Sequence, residues 1–121
     1  MDENHIAKIV VNKAYQIHTK VGPGLLETIY EVILANELLK CNLRIERQKI
    51  IPIIYEGVKF DEGFRTDIIV ENKVIIELKS IEQVLNAHKK QLLTYLRLSK
   101  LKLGLLINFG ESLIKMEYLE L

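Results

Sequence analysis

Three residues of this 121-residue chain have types and spacing that could do chemistry together: Asp67, Glu77 and Lys79. They stand in Phe64–Lys79, which reads as two strands joined by the polar turn Glu71-Asn72-Lys73, with Ile68-Ile69-Val70 and Val74-Ile75-Ile76 as the β-branched runs. Runs that are apolar on both faces belong in the middle of a covered sheet, and charges at the ends of such strands cost free energy unless something pairs with them. Side chains alternate faces along a strand, and directly paired residues share a face. If Val70 pairs with Val74 across a three-residue turn, Asp67 falls opposite Glu77 and Arg65 opposite Lys79, all on the face of Ile69 and Ile75. The other face, Ile68, Val70, Val74, Ile76 and Leu78, is wholly apolar. A two-residue turn would put the carboxylates on opposite faces, so the register is itself an expectation. Two adjacent carboxylates repel, and one takes up a proton unless a cation lies between them. Oxygen ligands suit a hard ion such as magnesium, which keeps several of its waters. Lys79, pointing the same way, can hold an anion or a water beside that ion. The same four charges can instead form a cross-strand salt-bridge network at a sheet end, and a short motif alone does not separate the two readings.

The elements that must position these residues follow from periodicity. Residues 3–21 read as an amphipathic helix, with Ile6, Ile9, Val10, Ala14, Ile17 and Val21 at helical spacing. Val21-Gly22-Pro23-Gly24 breaks it, and a second helix is expected from Leu25 to Lys40 with Leu26, Ile29, Ile33 and Leu39 as its apolar stripe. Gly24, Glu27 and Tyr30, spaced by threes, lie along one side of that helix. A glutamate in a first turn is also favoured by the helix dipole alone. Leu43–Glu56 turns to strand, with Pro52 marking an edge strand or a bulge. Glu56-Gly57 signals a hairpin into Val58-Lys59-Phe60, and Asp61-Glu62-Gly63 is expected to bend that strand. After Lys79 a loop leads to a helix over Asn86–Ser99, with Leu92, Leu93, Leu96 and Ala87 toward the core. Gln91 and Tyr95, four apart, share a face of it, either at a site or as surface polar groups. Leu101–Phe109 and Ser112–Leu119 complete the strands, the last at an edge. A strand, a crossover helix and a strand predict parallel pairing of the strand ending at Lys79 with Leu103–Asn108. The expected fold is α/β, a mixed sheet flanked by helices in the order ααβββαββ, as one domain over residues 1–121.

Composition narrows the function classes. Hydrophobic residues make up 49% and charged residues 27%, which is ordinary for a folded globular chain. A net charge of +1 carries no global signal for nucleic acid, so such contacts must come from local groups. Lys40, Arg44, Arg47 and Lys49 form one such group and Lys89 and Lys90 another, unless they are merely solvated faces. The single Cys41 excludes an internal disulfide and fits a reducing cytosol. His5, His18 and His88 are scattered and there is no cysteine pair, which argues against a zinc site. The start Met-Asp-Glu-Asn is unlike a signal peptide, and no apolar run approaches membrane-spanning length, so a cytoplasmic location without membrane attachment is expected.

With Asp67 and Glu77-Leu78-Lys79 on the second and third strands of this order, the chain resembles the PD-(D/E)XK nuclease superfamily, whose fold is restriction-endonuclease-like. Gly24-Leu25-Leu26-Glu27-Thr28-Ile29-Tyr30 is similar to the GxxExxY pattern that names one small family within it. Gln91-Leu92-Leu93-Thr94-Tyr95 is similar to the QxxxY pattern of the RecB-like branch. The resemblance spans nearly the whole chain and implies a DNA nuclease using Mg²⁺ or Mn²⁺. It implies that Asp67, Glu77 and the Leu78 carbonyl bind the metal, with Glu27 completing its ligands directly or through water. It implies that Lys79 orients the attacking water, Gln91 steadies Lys79 and Glu77, and Tyr95 touches a phosphate. The resemblance assigns Tyr30 no role, and packing is expected of it. The proline of the motif name is absent, and Thr66 precedes Asp67. The competing expectation is a module that keeps the fold without catalysis and binds nucleic acid, a protein partner or a second copy in a homodimer.

Overall fold

A computed structural model describes all 121 residues. Its elements run α1 (Glu3–Val21), α2 (Glu27–Lys40), β1 (Ile45–Tyr55), β2 (Val58–Val70), β3 (Val74–Lys79), α3 (Asn86–Ser99), β4 (Leu103–Asn108) and β5 (Lys115–Glu120). The order is the expected ααβββαββ. The five strands form one mixed sheet in sequence order, β1-β2-β3-β4-β5, in which only β3 and β4 run parallel. The β3–α3–β4 crossover imposes that parallel pair, since α3 returns the chain to the same end of the sheet. No helix is long and apolar enough to cross a membrane.

The central hairpin has the three-residue turn. Val70 pairs with Val74, Ile69 with Ile75 and Ile68 with Ile76. Glu71 and Asn72 take left-handed backbone, φ 53° and 52°, to close it. Parity therefore sorts the side chains as expected. Ile68, Val70, Val74, Ile76 and Leu78 pack with Leu103, Leu105 and Ile107 of β4 against α1 and α2. Ile69, Ile75 and Leu106 pack on the opposite side against Leu92, Tyr95 and Leu96 of α3. Gly104 of β4 lets α3 come close, because a Cβ there would lie 2.9 Å from Leu92 Cγ. Leu93 is only partly buried, and Ala87 is exposed rather than facing the core, because it lies in the first turn of α3.

The first two helices hold further corrections. In α1, Ile6, Val10, Ala14 and Ile17 are buried as expected, whereas Ile9 is half-buried and Val21, in the last turn beside the break, is exposed; Asp2 caps the start by accepting the His5 amide at 2.8 Å. In α2 the buried side is Tyr30, Glu31, Leu34, Ala35 and Leu38, whereas Leu26, Ile29 and Leu39 of the expected stripe are exposed and Ile33 is half-buried. Apolar residues ring this helix, so their spacing alone selects no face. Tyr30 selects it: the ring stacks on Phe109 with centroids 4.3 Å apart, and the hydroxyl donates to the Gly22 carbonyl at 2.6 Å while accepting the Leu25 amide at 3.2 Å. Tyr30 thus ties the α1–α2 turn to the core.

Both readings of Pro52 hold, since β1 is an edge strand and the β1–β2 register shifts between Ile51 and Ile53. Gly63 lies across this bulge with its α-carbon against the Ile51 carbonyl, which a Cβ would overlap. Glu56 and Gly57, both at positive φ, close the hairpin beyond it, as type I′ turns require. The end of that ribbon leaves the core, and Ile54, Tyr55, Val58 and Phe60 are exposed there.

Candidate active site

The β2–β3 ladder stops at Ile68 and Ile76, and the next residues on each strand are Asp67 and Glu77. Here side-chain oxygens replace the ladder. The Asp67 amide donates to Glu77 Oε1 at 3.3 Å, and the Leu78 amide donates to Asp67 Oδ2 at 2.8 Å. Each carboxylate is therefore held by the backbone of the other strand. Glu77 is only 7% exposed. Burial first, and the neighbouring Asp67 charge second, push its pKa up to about 8, against the opposing pull of Lys79.

None of the chain's ion pairs involves Asp67, Glu77, Arg65 or Lys79. The salt-bridge network that was the bland alternative does not form. The two carboxylates are crowded, and Lys79, half-buried two residues beyond Glu77, is near enough to act electrostatically without pairing.

Glu27 approaches from the other layer. The Ser80 hydroxyl donates to the Leu25 carbonyl at 2.6 Å and docks the start of α2 on the end of β3. Glu27, in the first turn of α2, is partly buried there. Burial raises its pKa, with Lys79 opposing and Asp67 adding to the rise. From the α3 side comes Tyr95, nearly buried and stacked on Phe64 with centroids 3.8 Å apart. Its phenol is pushed up by burial and then by the charges of Glu77 and Asp67. The fold thus brings Asp67, Glu77, Leu78, Lys79 and Tyr95 together, with Glu27 near enough to feel the charges of Lys79 and Asp67 without converging on the pair. Gln91 is exposed on α3 and hydrogen-bonds to neither Glu77 nor Lys79.

No group of three or more His, Cys, Asp or Glu side chains converges to hold a metal ion. The oxygen donors gathered here are the Asp67–Glu77 pair, with Glu27 standing off, and the Leu78 backbone adjoins them through its amide on Asp67. Such a set fits a hard divalent cation that retains waters, since a carboxyl held protonated by burial and by the charge of its neighbour is what a cation would relieve. The larger clefts lie elsewhere, one of about 540 Å³ beside Leu39, Leu43 and Arg44 and one of about 560 Å³ along α1. Neither contains these carboxylates, so chemistry, not cavity size, locates the site.

Several residues that build this region carry little local signal in the sequence. Asn108, fully buried and paired with Lys79 in the β3–β4 register, accepts the Ile81 and Gly110 amides at 3.1 and 3.0 Å and donates to the Ile81 carbonyl at 2.9 Å. It fixes the loop that follows Lys79. A polar residue ending the apolar run of β4 was the available clue. His18, also buried, bonds the Glu111 carbonyl through Nε2 at 2.9 Å. Of the basic groups, Lys40, Arg47, Lys49 and Lys89 each face an acidic partner.

A five-stranded mixed sheet with two helices on one face, one on the other and an acidic pair where its central hairpin opens defines a restriction-endonuclease-like protein. A family model described as the PD-(D/E)XK nuclease superfamily matches residues 4–120, and the chain belongs to that superfamily. No curated protein and no solved structure matched in the corresponding comparisons.

Proposed function

We propose that this chain is a nuclease that hydrolyses phosphodiester bonds of DNA with a divalent cation, Mg²⁺ or Mn²⁺. The observation that carries the reading is the crowded Asp67–Glu77 pair, which no cation of the protein pairs with. Asp67, Glu77 and the Leu78 carbonyl would hold the ion, with Glu27 acting through water. Bound there, a divalent cation supplies a more acidic water and positive charge for the scissile phosphate. Lys79 then orients the attacking water and offsets the charge that builds on the phosphate oxygens. Tyr95 would touch a phosphate oxygen through its hydroxyl, and Gln91, one turn earlier on the same helical face, would steady Lys79 and Glu77 once substrate and ion are bound. Cleavage expels the sugar 3′-oxygen and leaves a 5′-phosphate. Within the superfamily, Gly24, Glu27 and Tyr30 support placement in the GxxExxY family, and Gln91 and Tyr95 support the RecB-like branch. The 121 residues act as one domain in this reading, and free Cys41 suits the cytoplasm.

Two variants separate the roles. Asp67→Ala removes one of two carboxylates and is expected to abolish Mn²⁺ binding in titration calorimetry. Lys79→Ala is expected to bind Mn²⁺ as well as the parent or more tightly, since a positive neighbour is lost. Both should cleave DNA at least 100-fold more slowly, by analogy with the ~10²–10³-fold cost of removing one transition-state donor. A parent protein that binds no Mn²⁺ at millimolar concentration sinks the enzyme reading. The second reading, a module that binds a protein partner or a second copy, then takes its place, favoured by the exposed Ile54, Tyr55, Val58 and Phe60 at the hairpin end.

A further inference from the structure

Gln48 lies near the start of β1 with φ 54°, a left-handed conformation that a residue with a long side chain rarely adopts in a strand. Arg47 pairs with Ile68 and Lys49 with Thr66, which places Gln48 opposite Asp67. Such outliers persist only where their surroundings over-determine them. Here the surroundings are one buried carboxylate. Glu31 of α2 is 3% exposed. Its Oε2 accepts Arg47 Nε at 2.9 Å and lies 2.8 Å from a terminal guanidinium nitrogen, while its Oε1 accepts Gln48 Nε2 at 2.7 Å. Consecutive residues of a regular strand point to opposite faces. Arg47 and Gln48 reach the same carboxylate only because the backbone turns at Gln48.

The consequence falls on α2. Glu31 and Glu27 are four apart, hence on one face of the helix. The start of α2 has Leu26 at its N-cap position and no side-chain cap. Tyr30 selects the buried face of α2, and on the β1 side the grip on Glu31 adds a polar restraint on the helix about its own axis. We propose that Glu31, Arg47 and Gln48 form a positioning clamp that trims the rotation of α2 and thereby holds Glu27 toward the Asp67–Glu77 pair. These are positioning residues: they act through Glu27 and touch neither metal nor phosphate. The clamp's effect on metal binding rests on the nuclease reading above, whereas its grip on α2 does not.

The probe is Gln48→Asn. Asparagine accepts left-handed backbone more readily than glutamine, but its side chain is one methylene too short to reach Glu31. The melting temperature should therefore stay within a few degrees of the parent. Mn²⁺ affinity, read by titration calorimetry, should fall about tenfold, as when a group that orients a metal ligand is lost. Glu27→Ala should lose a similar factor, and the double variant should bind no more weakly than Glu27→Ala alone. Losses that add in the double variant overturn the proposal, as does parental affinity in either single variant. If the parent itself binds no Mn²⁺, the nuclease reading fails and the clamp is judged by amide hydrogen exchange. Faster exchange in the first turn of α2 in Gln48→Asn supports it, and unchanged exchange overturns it.

Discussion

Glu77 stands out at the residue scale because burial and the neighbouring Asp67 charge both disfavour its ionised form. In the unfolded chain a glutamate ionises near 4.5, whereas folded Glu77 keeps its proton to about 8. Between those values the folded state binds more protons than the unfolded one. The contribution of protonated Glu77 to stability is therefore complete below pH 4.5 and is lost as pH rises through 8. The metal-free protein is expected to melt at falling temperatures from pH 5 to 9, with part of that fall removed in Glu77→Gln. Near pH 8.5 the glutamine variant should melt roughly 5 °C above the parent, the equivalent of about 1 kcal/mol. If the proposed site holds, millimolar Mg²⁺ should reverse the slope for the parent and leave Glu77→Gln unmoved, because the ion would need the carboxylate that burial disfavours. A metal-free parent whose melting temperature rises from pH 5 to 9 contradicts this. The pair Asp67–Glu77 was legible in the sequence because strand parity and one turn length place it. Glu31, Gln48 and Asn108 were not. Glu31 looks like any helix charge until the strand that grips it is known, and a left-handed glutamine has none of the glycine or asparagine signal that betrays a turn.

At the scale of elements, the α1–α2 turn shows how a motif residue can serve the fold first. Tyr30 brackets Gly22 and Leu25 through its hydroxyl, and Ser80 holds the Leu25 carbonyl from the far side. Tyr30→Phe keeps the stack on Phe109 but leaves the Gly22 carbonyl without its donor. It should cost about 1–2 kcal/mol in urea unfolding, with an unchanged m-value. A loss below 0.3 kcal/mol would mean that the hydroxyl contributes nothing beyond ring packing. Element boundaries were readable because Gly22-Pro23-Gly24, Glu56-Gly57 and the central turn punctuate the chain. The buried face of α2 was not, because Ile29, Val32, Ile33, Leu34, Leu38 and Leu39 surround the helix and only its long-range contacts choose among them. Pro52 signalled both an edge and a bulge, and both occurred, since a residue without an amide donor fits either place.

For the whole molecule, two layers of different thickness sandwich the sheet. Two helices cover the face made by Ile68, Val70, Val74, Ile76 and Leu78, and one helix covers the other. The catalytic candidates gather where those layers part, at the end of the parallel β3–β4 pair, so each layer contributes a side chain: Glu27 from one and Tyr95 from the other. The mixed sheet and its parallel pair followed from the order of strands and helices, since a helix between two strands demands a crossover. The outward ribbon end with Ile54, Tyr55, Val58 and Phe60 did not, because β-branched and aromatic residues signal strand whether or not anything covers them.

The sheet order equals the order of the strands in the chain, and this bears on how fast the site assembles. Each neighbouring strand pair closes a modest stretch of chain, which favours rapid folding. Asp67 and Glu77 are only 10 residues apart, so their hairpin is among the most local contacts in the molecule. A cation that binds them has its two main ligands in place once β2 meets β3, before α3 and β4 dock. Mn²⁺ should therefore steepen the refolding rate itself, not merely slow unfolding, and stopped-flow chevrons with and without the ion distinguish the two. A folding limb unmoved by Mn²⁺, with all the stabilisation in the unfolding limb, would mean that the hairpin joins the nucleus late.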